Sequence, residues 1–236
     1  MIILEEFETI RHLLSYNCSI ARYGDGELKI CLGGSAIAQP GSPALQGRLK
    51  QILKNTDPGL LVGIPRMHDG LEVQKKKFWT KYSQPRFTDL YIQKGVYGSA
   101  FITRPDSAFH IDCAEYYELV KLLWKNKRVL LYQGVNRRFL KAEPNLFSTA
   151  ESYTVLYGPS YDAFSEYKTI FQILKNESDR DTVIVLSLGP TATVLANDLT
   201  IIGRQTLDLG HMGMFYAHIH PKARQYDGAP YPKDGK

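Results

Sequence analysis

Arg22-Tyr23-Gly24-Asp25-Gly26-Glu27 places two carboxylates two residues apart, each beside glycine, directly after a stretch, Ser19 to Tyr23, that reads as a strand. Hard divalent cations are held by carboxylate oxygens, and a turn of this kind can bring Asp25 and Glu27 to one ion. Glycine at 24 and 26 permits positive φ and close backbone approach, so a cation or an anionic ligand can lie against the main chain without meeting a Cβ. A tight turn with a solvated acidic face is the competing structural account, and the hexapeptide alone leaves both open.

Three further stretches carry chemistry. Ser187-Leu188-Gly189-Pro190-Thr191-Ala192-Thr193 joins a β-branched strand to a helix with small residues in its first turn. Free N–H groups at such a helix start, with the Thr191 and Thr193 hydroxyls, suit a phosphate or pyrophosphate; ordinary helix capping explains the same residues. Gln133-Gly134-Val135-Asn136-Arg137-Arg138 follows another strand, where a guanidinium, Arg137 before Arg138, can take phosphate oxygens bidentately or lie on the surface of a long loop. Asp208-Leu209-Gly210-His211 closes the last strand and directs His211 toward the same crevice as Asp25 and Glu27; a histidine joining two carboxylates suits manganese better than magnesium or calcium. A capping or buried histidine is the alternative. There is no G-x-S-x-G elbow, no P-loop, and no cysteine beside a base. A methyltransferase-like Rossmann domain stays open, although the Gly24 to Gly26 turn lacks the third glycine of G-x-G-x-x-G.

The elements that position these residues follow from apolar spacing. Leu4, Phe7, Ile10, Leu13 and Leu14 predict a first helix ending near Asn17. Ser42 as cap and Pro43 in the first turn open a second helix with Leu45, Leu49, Ile52 and Leu53 on one face, followed by a strand over Leu60 to Ile64. A helix around Lys75 to Lys81 and an extended piece near Ala100 to Thr103 fall within an irregular insertion spanning roughly 66 to 110. The pattern then becomes regular: helix 111 to 126, strand 128 to 133, strand 153 to 157, helix 160 to 176, strand 182 to 188, helix 191 to 202 and strand 205 to 209. Alternating strands and helices predict an α/β fold, a mostly parallel sheet with helices on both faces. Four strands end in or before Gly134, Gly158, Gly189 and Gly210, and ligands of such sheets bind beyond the carboxyl ends of the strands. The expected organisation is one domain over 1 to 217, with 218 to 236 as a tail.

Composition narrows the function. A chain of 236 residues that is 44% hydrophobic can bury a core without staples, and three cysteines without C-x-x-C spacing argue against a disulfide framework or a zinc site. That cysteine usage makes a reducing cytosol the expected home, and three glutamates among residues 1 to 14 fit neither a signal peptide nor a membrane span. The net charge of +5, in small scattered groups, suits an anionic small molecule and would assist peripheral contact with anionic lipid. Nucleic acid is not expected as a partner, because the 15 tyrosines are spread through strands and helices.

Taken together these residues resemble the bacterial glycosyltransferases of the GT-D type fold, which use a D-x-E motif. The resemblance runs in order from Arg22-Tyr23-Gly24-Asp25-Gly26-Glu27 through Phe101-Ile102-Thr103-Arg104-Pro105, Asn145-Leu146-Phe147, Gly158-Pro159 with Ala163-Phe164, and Leu188 to Ala196, to Asp208-Leu209-Gly210-His211. It implies a Rossmann-like domain that binds a nucleoside-diphosphate sugar, typically UDP-glucose, and transfers the sugar to a hydroxyl of a protein- or lipid-linked glycan. It also implies Mn2+ or Mg2+ at Asp25 and Glu27, and diphosphate at Thr191 and its neighbours Gly189, Pro190, Ala192 and Thr193. Arg22 or Arg104 would orient phosphate or the carboxylates, with Gly24, Gly26, Asn136 and Arg137 completing the donor site. Glu27 and Asp208 are the candidate general bases. The implied setting is the cytoplasmic side of a surface-glycan or adhesin-glycan pathway, at the inner face of the membrane, with self-association open. One departure stands out: members of the family carry an acidic residue two positions after the histidine and another shortly after, whereas this chain reads His211-Met212-Gly213-Met214-Phe215-Tyr216. That departure implies a different acceptor, a rearranged site or reduced activity, and it keeps a non-catalytic nucleotide-sugar-binding scaffold as the alternative.

Overall fold

Apolar side chains alternate along the strands and so define two buried faces. In β5 (Arg128–Gly134), Val129 and Leu131 enter one core cluster while Leu130 and Tyr132 enter another. In β7 (Thr182–Ser187), Val183 and Val185 separate from Ile184 and Leu186 in the same way. A two-residue period that is apolar on both sides requires cover on both sides. The computed structural model describes residues 2–66, 73–80, 82, 87, 90, 95–104, 113–136, 139–140 and 145–219.

Besides β5 and β7, the strands are β1 (Ile2–Ile3), β2 (Ser19–Arg22), β3 (Leu60–Ile64), β4 (Val96–Ser99), β6 (Ser152–Gly158) and β8 (Thr206–Asp208). They form one sheet in the order β1-β4-β3-β2-β8-β7-β5-β6, and every pairing between them is parallel. On one face lie α1 (Glu6–Tyr16), α5 (Cys113–Lys121) and α8 (Met212–Ile219), packed through Ile10, Tyr116 and Met212. On the other lie α2 (Asp25–Cys31), α3 (Pro43–Leu53), α6 (Tyr167–Glu177) and α7 (Pro190–Ile201), packed through Leu28, Leu49, Ile170 and Val194. The remaining described helix is α4 (Val73–Thr80). Helix α7 is buried almost all round, as a helix wedged between sheet and neighbouring helices must be. Among the described residues no helix is long and apolar enough to cross a membrane.

Several expectations change. The acidic hexapeptide is not a turn: α2 begins at Asp25, so the helix opened by Ser42 is the third. Gly24 has φ −89° and Gly26 lies in the helix, so neither takes positive φ. Space is what both supply, since a Cβ on Gly26 would lie 3.0 Å from Ala36 Cβ and one on Gly24 3.1 Å from Glu27 Oε2. Ala100–Thr103 is a 3-10 turn rather than an extended piece, with the Ser99 hydroxyl accepting from Phe101 N at 3.0 Å. The extended segment is β4 just before it, so part of the span read as an irregular insertion belongs to the sheet. The helix read over 111 to 126 tightens into a 3-10 turn at Leu122–Trp124, and the one read over 160 to 176 opens with a 3-10 turn at Ala163–Glu166.

Gly213 sits in the first turn of α8 against the backbone of Phe139, where a Cβ would overlap the Phe139 carbonyl. The missing carboxylate is therefore tied to how closely this helix approaches the segment after β5. Gly213→Ala should cost about 1–3 kcal/mol through forced displacement of that backbone, and Gly213→Glu at least as much; urea unfolding midpoints of the two variants against the wild type check this.

Candidate active site

In a parallel sheet all carboxyl ends lie on one edge, and there a cleft opens between the start of α2 and the loops after β5, β6, β7 and β8. Asp25, Gly26, Glu27, Gly134, Asn136, Gly189, Pro190 and His211 line it, so residues from four sequence stretches meet. Ser187, from the stretch ahead of α7, lines it as well, and so do Lys29, Ser160 and the loop Ala36 to Ala38, which were not singled out in the sequence. Lys29 had a readable signal, because it lies one helical turn after Asp25.

Arg22, at the end of β2, is committed to the protein. Its Nε donates to the Asp208 carbonyl at 2.6 Å, Nη1 to the Ala100 carbonyl at 3.0 Å and to Thr103 Oγ1 at 3.1 Å, and Nη2 lies 3.5 Å from Asp208 Oδ1. Its backbone N–H donates to Asp208 Oδ2 at 3.1 Å. Gly210, at φ +47°, leaves room for the guanidinium, since a Cβ there would overlap Nη2. Arg22 thus ties β2, β8 and the turn after β4 together and holds the Asp208 carboxylate. Asp208 is 3% exposed; burial raises its carboxyl, and Arg22 opposes that rise.

The motif carboxylates differ from each other. Asp25, at the first position of α2, is 2.7 Å from Lys29 Nζ and its side chain is 42% exposed, so the pair is a weak surface contact. Glu27, two residues on, turns back so that Oε2 accepts from Gly24 N at 2.7 Å and caps the helix it starts. Burial pushes the Glu27 carboxyl up to about 7, with the nearby Asp208 carboxylate acting in the same direction. The described residues hold no cluster of three His, Cys, Asp or Glu able to cage a metal, although Asp25, Glu27 and His211 share the cleft. Magnesium-type sites use one or two carboxylates and complete their shell with water and substrate phosphate, and the two oxygen donors here fit that mode.

The threonines face inward. Thr191 Oγ1 donates to Gln39 Oε1 at 3.1 Å, and Thr193 Oγ1 lies 3.0 Å from the Arg22 carbonyl and 3.2 Å from Asp208 Oδ2, both side chains being wholly buried. The expected phosphate-facing hydroxyls are therefore engaged within the protein, as is buried Ala192, and the cleft meets the start of α7 through Gly189 and Pro190. Gly189 takes φ +55° and ψ −146°, a conformation that strongly favours glycine. Gln39, missed in the sequence because it stands alone in a Gly/Pro/Ser loop, also accepts from Phe164 N at 3.1 Å and donates to Asp162 Oδ1 at 2.6 Å. Arg104 is not among the residues that line the cleft, and its Cζ lies 4.3 Å from the Phe215 ring centroid. Arg137 lies outside the described residues.

An all-parallel sheet covered on both faces, with its polar cleft at the strand ends, defines a Rossmann-like α/β protein. Within that class, residues 20–226 match the family model described as glycosyltransferase GT-D fold, and the chain belongs to that family. It is 31% identical over 217 residues to a "probable glycosyl transferase Gly" of Streptococcus gordonii, covering 89% of this chain and 32% of that protein. It is 29% identical over 218 residues to glycosyltransferase GlyD of Streptococcus pneumoniae serotype 4, covering 89% of this chain and 26% of that protein. The chain thus spans about a third of the first relative and about a quarter of the second. A solved domain of unknown function, described as highly conserved and as having a distinct glycosyltransferase fold, superposes with TM-score 0.85 at 30% identity, over 92% of this chain and 81% of that one. A glycosyltransferase from Streptococcus sanguinis superposes with TM-score 0.84 at 28% identity, over 92% and 84%. The methyltransferase reading is set aside by this membership.

Removing one partner of a buried ion pair strands the other, so Arg22→Ala should lower stability by about 3–5 kcal/mol, and Arg22→Lys, without the guanidinium fork, should not restore it; guanidinium unfolding of both variants measures this. Glu27 titrates near its ordinary 4.5 when unfolded and about 7 when folded, so the folded state holds the extra proton between those values. The stability it contributes is complete below pH 4.5 and is lost as pH rises through 7. In chelator, the wild type should therefore lose on the order of 2 kcal/mol relative to Glu27→Gln between pH 5 and pH 8, read from thermal melts.

Proposed function

We propose that this chain is a metal-dependent glycosyltransferase that moves a sugar, glucose in the first instance, from a UDP-sugar to a hydroxyl of a bacterial surface or adhesin glycan. The observation that carries the reading is the meeting of Asp25, Glu27 and the Gly189–Pro190 start of α7 in one cleft at the carboxyl ends of the strands. Family membership and the glycosyltransferase names of the relatives support the reaction class. UDP-glucose, the glycan acceptor and a place at the inner face of the membrane come from the family resemblance.

Donor cleavage leaves negative charge on the diphosphate, and Mn2+ or Mg2+ held by Asp25 and Glu27, in the cleft that His211 also lines, would stabilise that charge. The start of α7 presents the positive end of a 12-residue helix to the same place, with Gly189 letting the backbone come close. Of the two carboxyls considered as general base, Glu27 reaches the cleft, whereas Asp208 is buried against Arg22. Without metal, burial pushes the Glu27 carboxyl up to about 7, but a bound divalent cation would favour its carboxylate and engage its oxygens, so Glu27 is assigned as ligand and not also as base.

Calorimetric titration of UDP and UDP-glucose, with manganese and then with chelator, tests the proposal when followed by donor hydrolysis. The expected result is metal-dependent binding with slow hydrolysis. Asp25→Asn and Glu27→Gln should each abolish the metal-dependent part, and Asp25→Asn should change stability by no more than about 0.5 kcal/mol. Wild-type binding in both variants would overturn the metal assignment, and binding without turnover would favour the scaffold reading.

A further inference from the structure

Isolated apolar residues on a surface need no explanation, but three exposed ones on loops bonded to each other beside a polar cleft do. Ile37 is 81% exposed, Val135 64% and Tyr161 59%, and each is next in sequence to a residue that lines the cleft. Their loops are joined: Asp162 N donates to the Ala38 carbonyl at 2.9 Å, Val135 N to the Gly158 carbonyl at 3.0 Å, and Asn136 N to Ser160 Oγ at 3.1 Å.

The loops are braced rather than loose. Ala36 and Gln39 pair across a two-residue tip, N to O at 3.0 and 3.3 Å, which holds Ile37 outward. The buried Gln39 side chain then fastens that tip to Asp162, Phe164 N and Thr191. Gly134 lets the loop after β6 pack close, since a Cβ there would lie 2.8 Å from Ser160 Oγ. A surface held rigid before its ligand arrives loses little conformational entropy on binding.

We propose that Ile37, Val135 and Tyr161 form the acceptor subsite, taking a pyranose ring of the acceptor glycan. The Tyr161 ring stacks on the C–H face of the sugar, Ile37 and Val135 flank it, and Ser160 and Asn136 on the cleft wall meet its hydroxyls. This rests on the reading of the cleft as the nucleotide-sugar site, because whatever touches the rim then carries the attacking hydroxyl. A bilayer fits less well, because the rim offers the Ser160 hydroxyl and the Asn136 amide between its apolar groups instead of a continuous apolar face.

The test uses saturation-transfer NMR on the full chain with UDP and magnesium, probing methyl and p-nitrophenyl glycosides of glucose, galactose and N-acetylglucosamine in both anomeric forms. Ring C–H signals are expected for at least one glycoside with the wild type. Tyr161→Ala and Val135→Ser should weaken that binding about tenfold or more, with melting temperatures and UDP signals unchanged. Sugar signals that survive both substitutions, or no sugar signal from a wild type that binds UDP, would overturn the subsite. Wild-type binding to phosphatidylglycerol vesicles that is lost in both variants would overturn it in favour of a membrane contact. Absence of UDP signals from the wild type would count against the nucleotide-sugar reading instead, with the glycoside signals still read separately.

Discussion

The contact between Arg22 and Asp208 is the constraint on which the cleft depends. One guanidinium reaches the backbone and carboxylate of Asp208 at the end of β8, and the Ala100 carbonyl and Thr103 hydroxyl beyond β4, while it stands at the end of β2. Three strand ends that share no local sequence are thereby set in one register. Asp25 and Glu27 follow Arg22 by three and five residues, and His211 follows Asp208 by three, so the candidate ligands inherit their separation from this pair. An ion pair this enclosed adds little net stability over an apolar pair of the same shape, and its value here is positional.

Sharing of groups is the second theme. Glu27 caps α2 and at the same time presents a carboxyl of raised pKa to the cleft. Thr193 ties α7 to Arg22 and Asp208, and Thr191 ties it to Gln39, so the helix start that meets the cleft is fixed from behind. Rigid support of this kind is what a site needs if its dipoles are to be in place before charge develops.

Much of this was legible in the sequence. The alternation in β5 and β7, the Ser42 cap, whose hydroxyl accepts from Leu45 N at 3.2 Å, and the glycines at strand ends each follow from local spacing. Parallel topology then brings those ends together without further information. What was not legible depends on tertiary packing. Gly24 and Gly26 look like a turn, yet the chain continues as a helix that Glu27 caps, and Gly26 is needed there to leave room for Ala36. The direction of the Thr191 and Thr193 hydroxyls follows from the rotation of α7 against the sheet, and Gln39 gains its role only from loops more than a hundred residues away. Asn145-Leu146-Phe147 belongs to the resemblance, but in the structure it is a brace: Trp124 Nε1 donates to the Leu146 carbonyl at 2.8 Å and Asn145 Oδ1 accepts from Phe147 N at 2.7 Å.

Strand order has a consequence for how the molecule forms. The contacts between Arg22 and Asp208 span 186 positions, because the second strand of the chain lies beside the last. Closing so long a loop is slow, and during synthesis β2 has no partner on that side until residue 208 has emerged. The half-sheet β1-β4-β3-β2 can assemble early, but its inner edge stays open to solvent until β8 arrives. The cleft is thus among the last parts of the chain to form, and a nascent polypeptide stopped short of β8 has neither a continuous sheet nor a complete cleft.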